Sequence, residues 1–367
     1  MPACLELDRC LLGSLPRSNM AFRGASASLL AAISKWSSRA SKPLQPHTIW
    51  QRSRFTDPSG YEHFERSRRV LWDPKVNMYV FGAVGCCGLG LYISGLETVP
   101  YTHRRHSLMI SAKKERQMGL ETFQQVKASA AQDGTLLPNS HPIVKRIRQI
   151  GLRIAAVVDD GNGGGNTAHM KNLDWEFAVV DDRSNVNAFV VPGGKVVIFT
   201  GLLLSVISND DELAAVLAHE AAHVVARHSA EKITELGVIV VLKVALNAIF
   251  GISFPIGLSQ LIVSLPNSRR AETEADVIGA RLMARACFNP SAAASVLNKL
   301  DKMEAKASKL PHDMIPDLLR THPVTSERVK KVEQEIPEAI QVYHDSGCRM
   351  RNEFGEMSGF SRFGDSF

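Results

Sequence analysis

Apolar positions fall in patterns that call for different surroundings along the chain. Residues 76–96, VNMYVFGAVGCCGLGLYISGL, run for 21 positions without a charge. At about 1.5 Å per residue a helix of that length covers a hydrocarbon core of about 30 Å. Gly82, Gly85, Gly88 and Gly90 suit close helix packing in lipid, and Tyr79 and Tyr92 suit the two interfaces. One transmembrane helix is therefore predicted over 76–96, after a basic juxtamembrane segment (56–75) carrying Arg66, Arg68, Arg69 and Lys75. Basic residues also follow the span at 103–106, so charge counting orients it only weakly.

Beyond the span, the mixed pattern of 107–340 reads as one globular domain dominated by helices. Residues 142–158 repeat Ile and Val at helical spacing and end in a loop, DDGNGGGN (159–166). No Lys-Ser/Thr follows those glycines, which excludes a phosphate cradle. Residues 174–180 and 188–199 are β-branched and aromatic, and Pro192-Gly193-Gly194 supplies a turn, so a hairpin is expected. A helix follows from Glu212, capped by Ser208 or a neighbour, with acids at its start and Arg227 and His228 near its end. A further apolar stretch, 237–265, is interrupted by GISFP at 251–255. Its halves, 237–250 and 256–265, fall short of the roughly 20 residues that each of two membrane passes needs. A helical hairpin is expected, either buried, covering a cleft or dipping into one leaflet.

Composition adds an address. With 45% apolar and 22% charged residues the chain can bury a core, which excludes a collagen-like or disordered reading. The net charge of +6 is concentrated near the N-terminus: from Arg9 to Thr56 there is no Asp or Glu, while basic residues alternate with Ser and Ala. Residues 1–55 thus have the composition of a transit segment, mitochondrial in the first instance and chloroplast in the second. No nucleic-acid-binding module accompanies the charge, so no nucleic-acid partner is expected. The six cysteines include no CxxC pair and predict no disulfide. Residues 341–367, rich in Gly, Ser and charge, are expected to be a disordered tail.

The chemistry lies in His219-Glu220-Ala221-Ala222-His223. Residues four apart share a helical face, so both imidazoles can address one ion, with Glu220 about 100° round the axis beside its open position. Zinc is the expected metal, one per chain, and catalytic zinc takes a third protein ligand. The metzincin extension fails, because positions 226 and 229 are Ala and Ser. A downstream carboxylate is the other solution. Glu272 and Asp276 lie one turn apart in SRRAETEAD, so Glu272 can ligate while Asp276 accepts the ring N–H of a ligand histidine. His228, five residues past His223, points elsewhere on a continuous helix and is not an extra ligand. In this scheme zinc polarises the scissile carbonyl and acidifies a water whose proton Glu220 takes and passes to the leaving amine.

HEAAH, SRRAETEAD, THPVTSER (321–328) and NAFVVPGGKVVIFTGLL together resemble the HtpX and CAAX-prenyl-protease type of gluzincin metallopeptidase over 186–330. With the transit-like N-terminus, the span and VPYTHRRHSL after it, the chain is similar to the Oma-type mitochondrial endopeptidases within that group. The resemblance implies a predominantly helical α+β zincin (gluzincin) domain with a small β-sheet or hairpin, preceded by one transmembrane helix. It implies an inner-membrane location with the catalytic domain in the intermembrane space, membrane-protein substrates and a lipid bilayer as partners, and stress-activated quality-control cleavage. It places His322 and Arg328 near the substrate carbonyl, and Asn187, Ala188, Phe189, Val190 and Val191 as an edge strand to which an extended substrate adds its backbone. Assembly into a homo-oligomer stays open. A zinc-binding but inactive membrane scaffold is the alternative, as is a structural membrane protein with a fortuitous HExxH.

Overall fold

The computed structural model describes residues 53–56, 59, 62–65, 74–161, 164–250, 256–307 and 315–348. The expected transit segment lies almost wholly outside them. The chain divides into two units, Met1–Val76 and Asn77–Phe367. In the first, β1 (Ser53–Thr56) pairs antiparallel with β2 (Glu62–Glu65), so part of the expected basic juxtamembrane segment is a strand pair.

Helix α1 spans Pro74–Ser94. Leu89, Leu91, Tyr92 and Ile93 are exposed along it. Among the described residues no helix is long and apolar enough to cross a membrane, which does not support the transmembrane helix expected over 76–96. Gly95 and Leu96, expected to finish the span, instead lead into a short antiparallel pair, β3 (Leu96–Thr98) and β4 (Arg105–Ser107). The Leu108 N–H donates to the Gly95 carbonyl at 2.8 Å and closes that pair. The folded body therefore begins before residue 107, with Val99, His106 and Leu108 buried.

Helix α2 (Ala112–Gln132), capped by the Ser111 hydroxyl, leads to α3 (Pro142–Asp159), whose Ile143, Ile147, Ile150 and Ile154 enter the core. The isoleucines recur every three or four residues, which turns all of them to one helical face. A three-stranded sheet follows, in the order β5 (Glu176–Val180), β7 (Lys195–Phe199), β6 (Ala188–Val191). Strand β5 runs parallel to β7, while β6 folds back antiparallel through the Pro-Gly-Gly turn and forms an edge of this sheet. The short α4 (Thr200–Ser205) connects to α5 (Asp210–Val225), the HEAAH helix, whose cap is Asn209 rather than Ser208; the Glu212 N–H donates to its side chain at 2.9 Å.

The apolar stretch at 237–265 becomes parts of two helices, α6 (His228–Phe250) and α7 (Ile256–Arg285), on either side of residues 251–255, which lie outside the described set. On α6, Val238, Val240, Val241, Leu242 and Val244 are exposed, the last four by more than half, so this part is not core. Helix α7 carries Glu272 and Asp276 in its middle. It packs against α5 at Gly279, where the Cβ of any other residue would stand 3.1 Å from the His219 backbone nitrogen. Helices α8 (Ser291–Ala307), α9 (Asp317–Thr321) and α10 (Ser326–Asp345) complete the domain.

Two expectations are corrected at its C-terminal end. The proposed disordered tail begins too early: Val342 and Tyr343 on α10 pack against Ala280 and Ala284 of α7, and Cys348 is fully buried. Residues 349–367 lie outside the described set. Cys348 is joined to Cys287, just past α7, in a disulfide closing 61 residues. Sequence spacing gave no sign of it because the two thiols meet only through the packing of α10 on α7. A closed loop of that length stabilises by on the order of 4 kcal/mol in the chain-entropy view. The Cys287→Ser variant is expected to unfold at clearly lower urea concentration than the wild type with a similar fold, measured by circular dichroism under non-reducing conditions.

Candidate metal centre

The candidate centre lies between α5, α7 and the end of α9. His219 and His223 project from successive turns of α5, Glu272 comes from α7 and His322 from the end of α9. One donor atom from each of the four lies within 4.8 Å of the others. The two histidine Nε2 atoms are 3.2 Å apart, His219 Nε2 is 3.3 Å from Glu272 Oε2, and His223 Nε2 is 3.5 Å from Glu272 Oε1. His322 Nδ1 stands 2.9 Å from Glu272 Oε2.

What orients the rings is on their other side. His219 Nδ1 is 2.9 Å from Asp276 Oδ1, and a carboxylate there fixes the proton on Nδ1 and leaves Nε2 free for an ion. His223 Nδ1 is 2.8 Å from His228 Nδ1. Asp276 is in turn held by Arg328, whose Nε and Nη2 donate at 2.7 and 2.9 Å. Arg328 is 3% exposed and its Nη1 donates to the Pro323 carbonyl at 2.9 Å, so its guanidinium is engaged inside the protein. Its Nη1 also lies 3.3 Å from Glu272 Oε2, beside the candidate donors.

Glu220 is buried against β6: one carboxylate oxygen accepts the Val190 N–H at 3.0 Å, the other lies 3.6 Å from His322 Nε2. The Val190 N–H therefore points away from β7 and towards the centre. Because backbone groups alternate along a strand, Ala188 shares this side, whereas Asn187 faces β7, its carbonyl accepting the Phe199 N–H at 3.1 Å. Ala188 is fully buried, and Phe189, Val190 and Val191 are half-buried.

Electrostatics separates the carboxylates. Burial pushes the Glu220 carboxyl up, against the pull of His322 and His219. Burial would raise Glu272 as well, yet His322 and the hydrogen bond from His219 hold it well below the usual carboxylate range. For His219, burial disfavours the charge, but Asp276 and Glu272 outweigh it and push its pKa up to about 10. Three imidazoles and one carboxylate, with a separate buried carboxylate alongside, make a donor set suited to a zinc ion.

Comparison with protein families matches residues 146–336 to peptidase family M48. The chain belongs to that family. M48 peptidases are zinc-dependent, in keeping with the donors assembled here. The mitochondrial metalloendopeptidase OMA1 of Schizosaccharomyces pombe is 36% identical over 298 residues, covering 78% of this chain and 79% of that protein. The protein of the same name in Saccharomyces cerevisiae is 30% identical over 293 residues, covering 78% and 82%. That of Arabidopsis thaliana is 29% identical over 361 residues, covering 79% and 72%.

Among the residues around this M48 centre, His228 and Glu274 had no assigned part in the sequence reading. Helix α5 stops at Val225, Arg227 adopts a left-handed backbone (φ 54°), and His228 restarts the chain on α6, facing His223. Only the recurrence of His five residues after the motif hinted at this, and on an unbroken helix it pointed the wrong way. Replacing Asp276 with Asn leaves the shape but confronts Arg328 with an amide that cannot balance its charge. Zinc affinity is expected to fall about 10- to 100-fold in Asp276→Asn, read by chelator competition on the full chain; unchanged affinity would mean that Asp276 does not orient His219.

Proposed function

We propose that this protein is a zinc-dependent metalloendopeptidase of the mitochondrial inner membrane, with its peptidase domain in the intermembrane space, that hydrolyses membrane proteins in quality control and stress-activated processing. The observation that carries the reading is the convergence of His219, His223 and Glu272 on one point, with the Glu220 carboxylate buried beside it. The names of the relatives, mitochondrial metalloendopeptidases, support both the chemistry and the compartment.

His219, His223 and Glu272 would hold one zinc ion per chain, which would supply Lewis acidity to a peptide carbonyl and to water. The chain's own residues do the rest. Glu220, pushed towards neutrality by burial, is suited to take a proton from water and return it to the departing amine. His322, whose Nε2 faces Glu220, is in position to steady charge on the carbonyl oxygen. Arg328 holds Asp276, and Asp276 holds His219. An extended substrate would lie along β6 at residues 187–191, reading backbone more than side chains, which gives loose sequence preference.

Membrane attachment rests on the exposed apolar side chains of α1 and α6, for which water is a poor solvent. In this reading α1 anchors the chain and α6 dips into one leaflet. The inactive-scaffold reading lacks a reason for Glu220 to be buried next to the donors.

Two outcomes test the proposal. Full-length wild type and Glu220→Gln should both bind about one zinc per chain, while cleavage of an unstructured protein falls by about 10²- to 10⁴-fold in the variant; zinc uptake without cleavage by wild type, in lipid as well as in detergent, would favour the scaffold. Val240→Asn combined with Val244→Asn should weaken flotation with anionic vesicles and slow cleavage of a membrane-embedded substrate while sparing an unstructured one. Equal flotation and equal cleavage would remove α6 from the membrane.

A further inference from the structure

Behind the candidate centre a chain of polar contacts runs from His223 to the turn between β3 and β4. If His223 turns Nε2 to the ion, its proton sits on Nδ1 and is donated to His228 Nδ1 at 2.8 Å. His228 must then carry its own proton on Nε2, which it donates to Glu274 Oε2 at 3.0 Å. Glu274 also accepts from Arg104 Nε at 2.8 Å and from the Thr102 hydroxyl. The other edge of the Arg104 guanidinium forks onto Glu231 of α6 at 2.8 and 2.7 Å.

This turn is built to aim those two side chains. Tyr101 and His103, neither a glycine, hold left-handed backbones (φ 68° and 54°) on either side of Thr102, and the Tyr101 hydroxyl is tied to Arg285 of α7 at 2.8 Å. Strand β3 contributes at the other end of the path. Its Glu97, together with Glu115 of α2, pairs with buried Arg227 in the break that separates α5 from α6 and puts His228 where it is.

We propose that His228 is a positioning residue for His223, held in place through Glu274 by Thr102 and Arg104, so that the turn between β3 and β4 sets how tightly the centre holds zinc. The inference rests on the reading of His219, His223 and Glu272 as metal ligands. It gives the basic residue Arg104 an internal task, and it ties the zinc site mechanically to the segment that follows α1.

The test uses the full-length protein, zinc affinity by chelator competition, the visible spectrum of the cobalt(II)-substituted protein as a report on ligand geometry, and the melting temperature of the metal-free form. His228→Leu keeps bulk and removes both hydrogen bonds; it should weaken zinc binding about 10- to 100-fold and alter the cobalt spectrum. In His228→Gln the amide oxygen can accept from His223 while the amide nitrogen donates to Glu274, so affinity should return to within about threefold of wild type. Arg104→Met should weaken zinc binding and Arg105→Met, an identical change of charge at an exposed neighbour, should not. The proposal is overturned if His228→Leu binds zinc like wild type, if Gln is as damaging as Leu, or if the Arg104 and Arg105 variants are indistinguishable. Should His228→Leu fail to fold, the Gln variant decides alone, a loss of tenfold or more counting against. A wild type that takes up no zinc would instead sink the metal-site reading, and this inference with it.

Discussion

The close crossing of α5 and α7 is the constraint from which the candidate site follows. A metal cluster drawn from two helices needs their axes near enough for short side chains to meet, and here the approach is set at Gly279, opposite the His219 backbone. On one side of that crossing stand His219 and His223, on the other Glu272 and Asp276, each pair spaced by one helical turn. Small neighbours on both helices, Ala215, Ala218, Ala222, Ala275 and Ala280, are buried and let the faces close. Once the faces are closed, burial makes every charge there expensive unless matched. Of the three buried carboxylates there, Asp276 and Glu272 face the Arg328 guanidinium, while Glu220 faces His322 and the Val190 N–H. Asp276 and Glu272 push the His219 pKa up against burial, and a divalent ion held by neutral imidazoles would match carboxylate charge that the side chains alone leave over.

Much of this was legible because it is local. The i,i+4 spacing of His219 and His223, and again of Glu272 and Asp276, needs nothing but a helix to become geometry. The hairpin of β6 and β7 was legible for the same reason, its Pro-Gly-Gly turn fixing the register Val191↔Lys195. What escaped was non-local. The parallel pairing of β5 with β7, the disulfide between Cys287 and Cys348, and the burial of α10 all depend on segments far apart in sequence. Arg328 illustrates the limit: its place in the THPVTSER motif was plain, but that its fork would close on Asp276, 52 residues earlier, was not. His228 escaped through a local irregularity, since no glycine marks the left-handed residue at Arg227 where the helix breaks; that conformation is held by Glu97 and Glu115 instead.

The edge strand adds a constraint on how a substrate could be accommodated. Because the Val190 N–H is donated to Glu220, the side of β6 that faces the centre is already half engaged. An incoming extended backbone would meet a carboxylate where it would otherwise find a free donor. The same contact holds Glu220 in one rotamer, so the strand that would align a substrate and the residue that would move the proton are fixed by one hydrogen bond. Loose sequence preference and firm geometry are compatible in such an arrangement: distance from Glu220, rather than side chains along β6, would locate the scissile bond.

If sequence preference is weak, selection has to come from where the site sits. Exposed apolar side chains on α1 and α6 mark two places at which this domain would favour lipid over water. Both lie one short step from the centre in sequence: α6 begins at His228, which contacts His223, and α1 is followed after a few residues by Thr102 and Arg104, which contact Glu274. A protease of loose preference held in this way would cut segments that reach its depth and spare those that do not. Discrimination would then be a property of the substrate's own unfolding or exposure near the membrane surface, rather than of a recognition pocket.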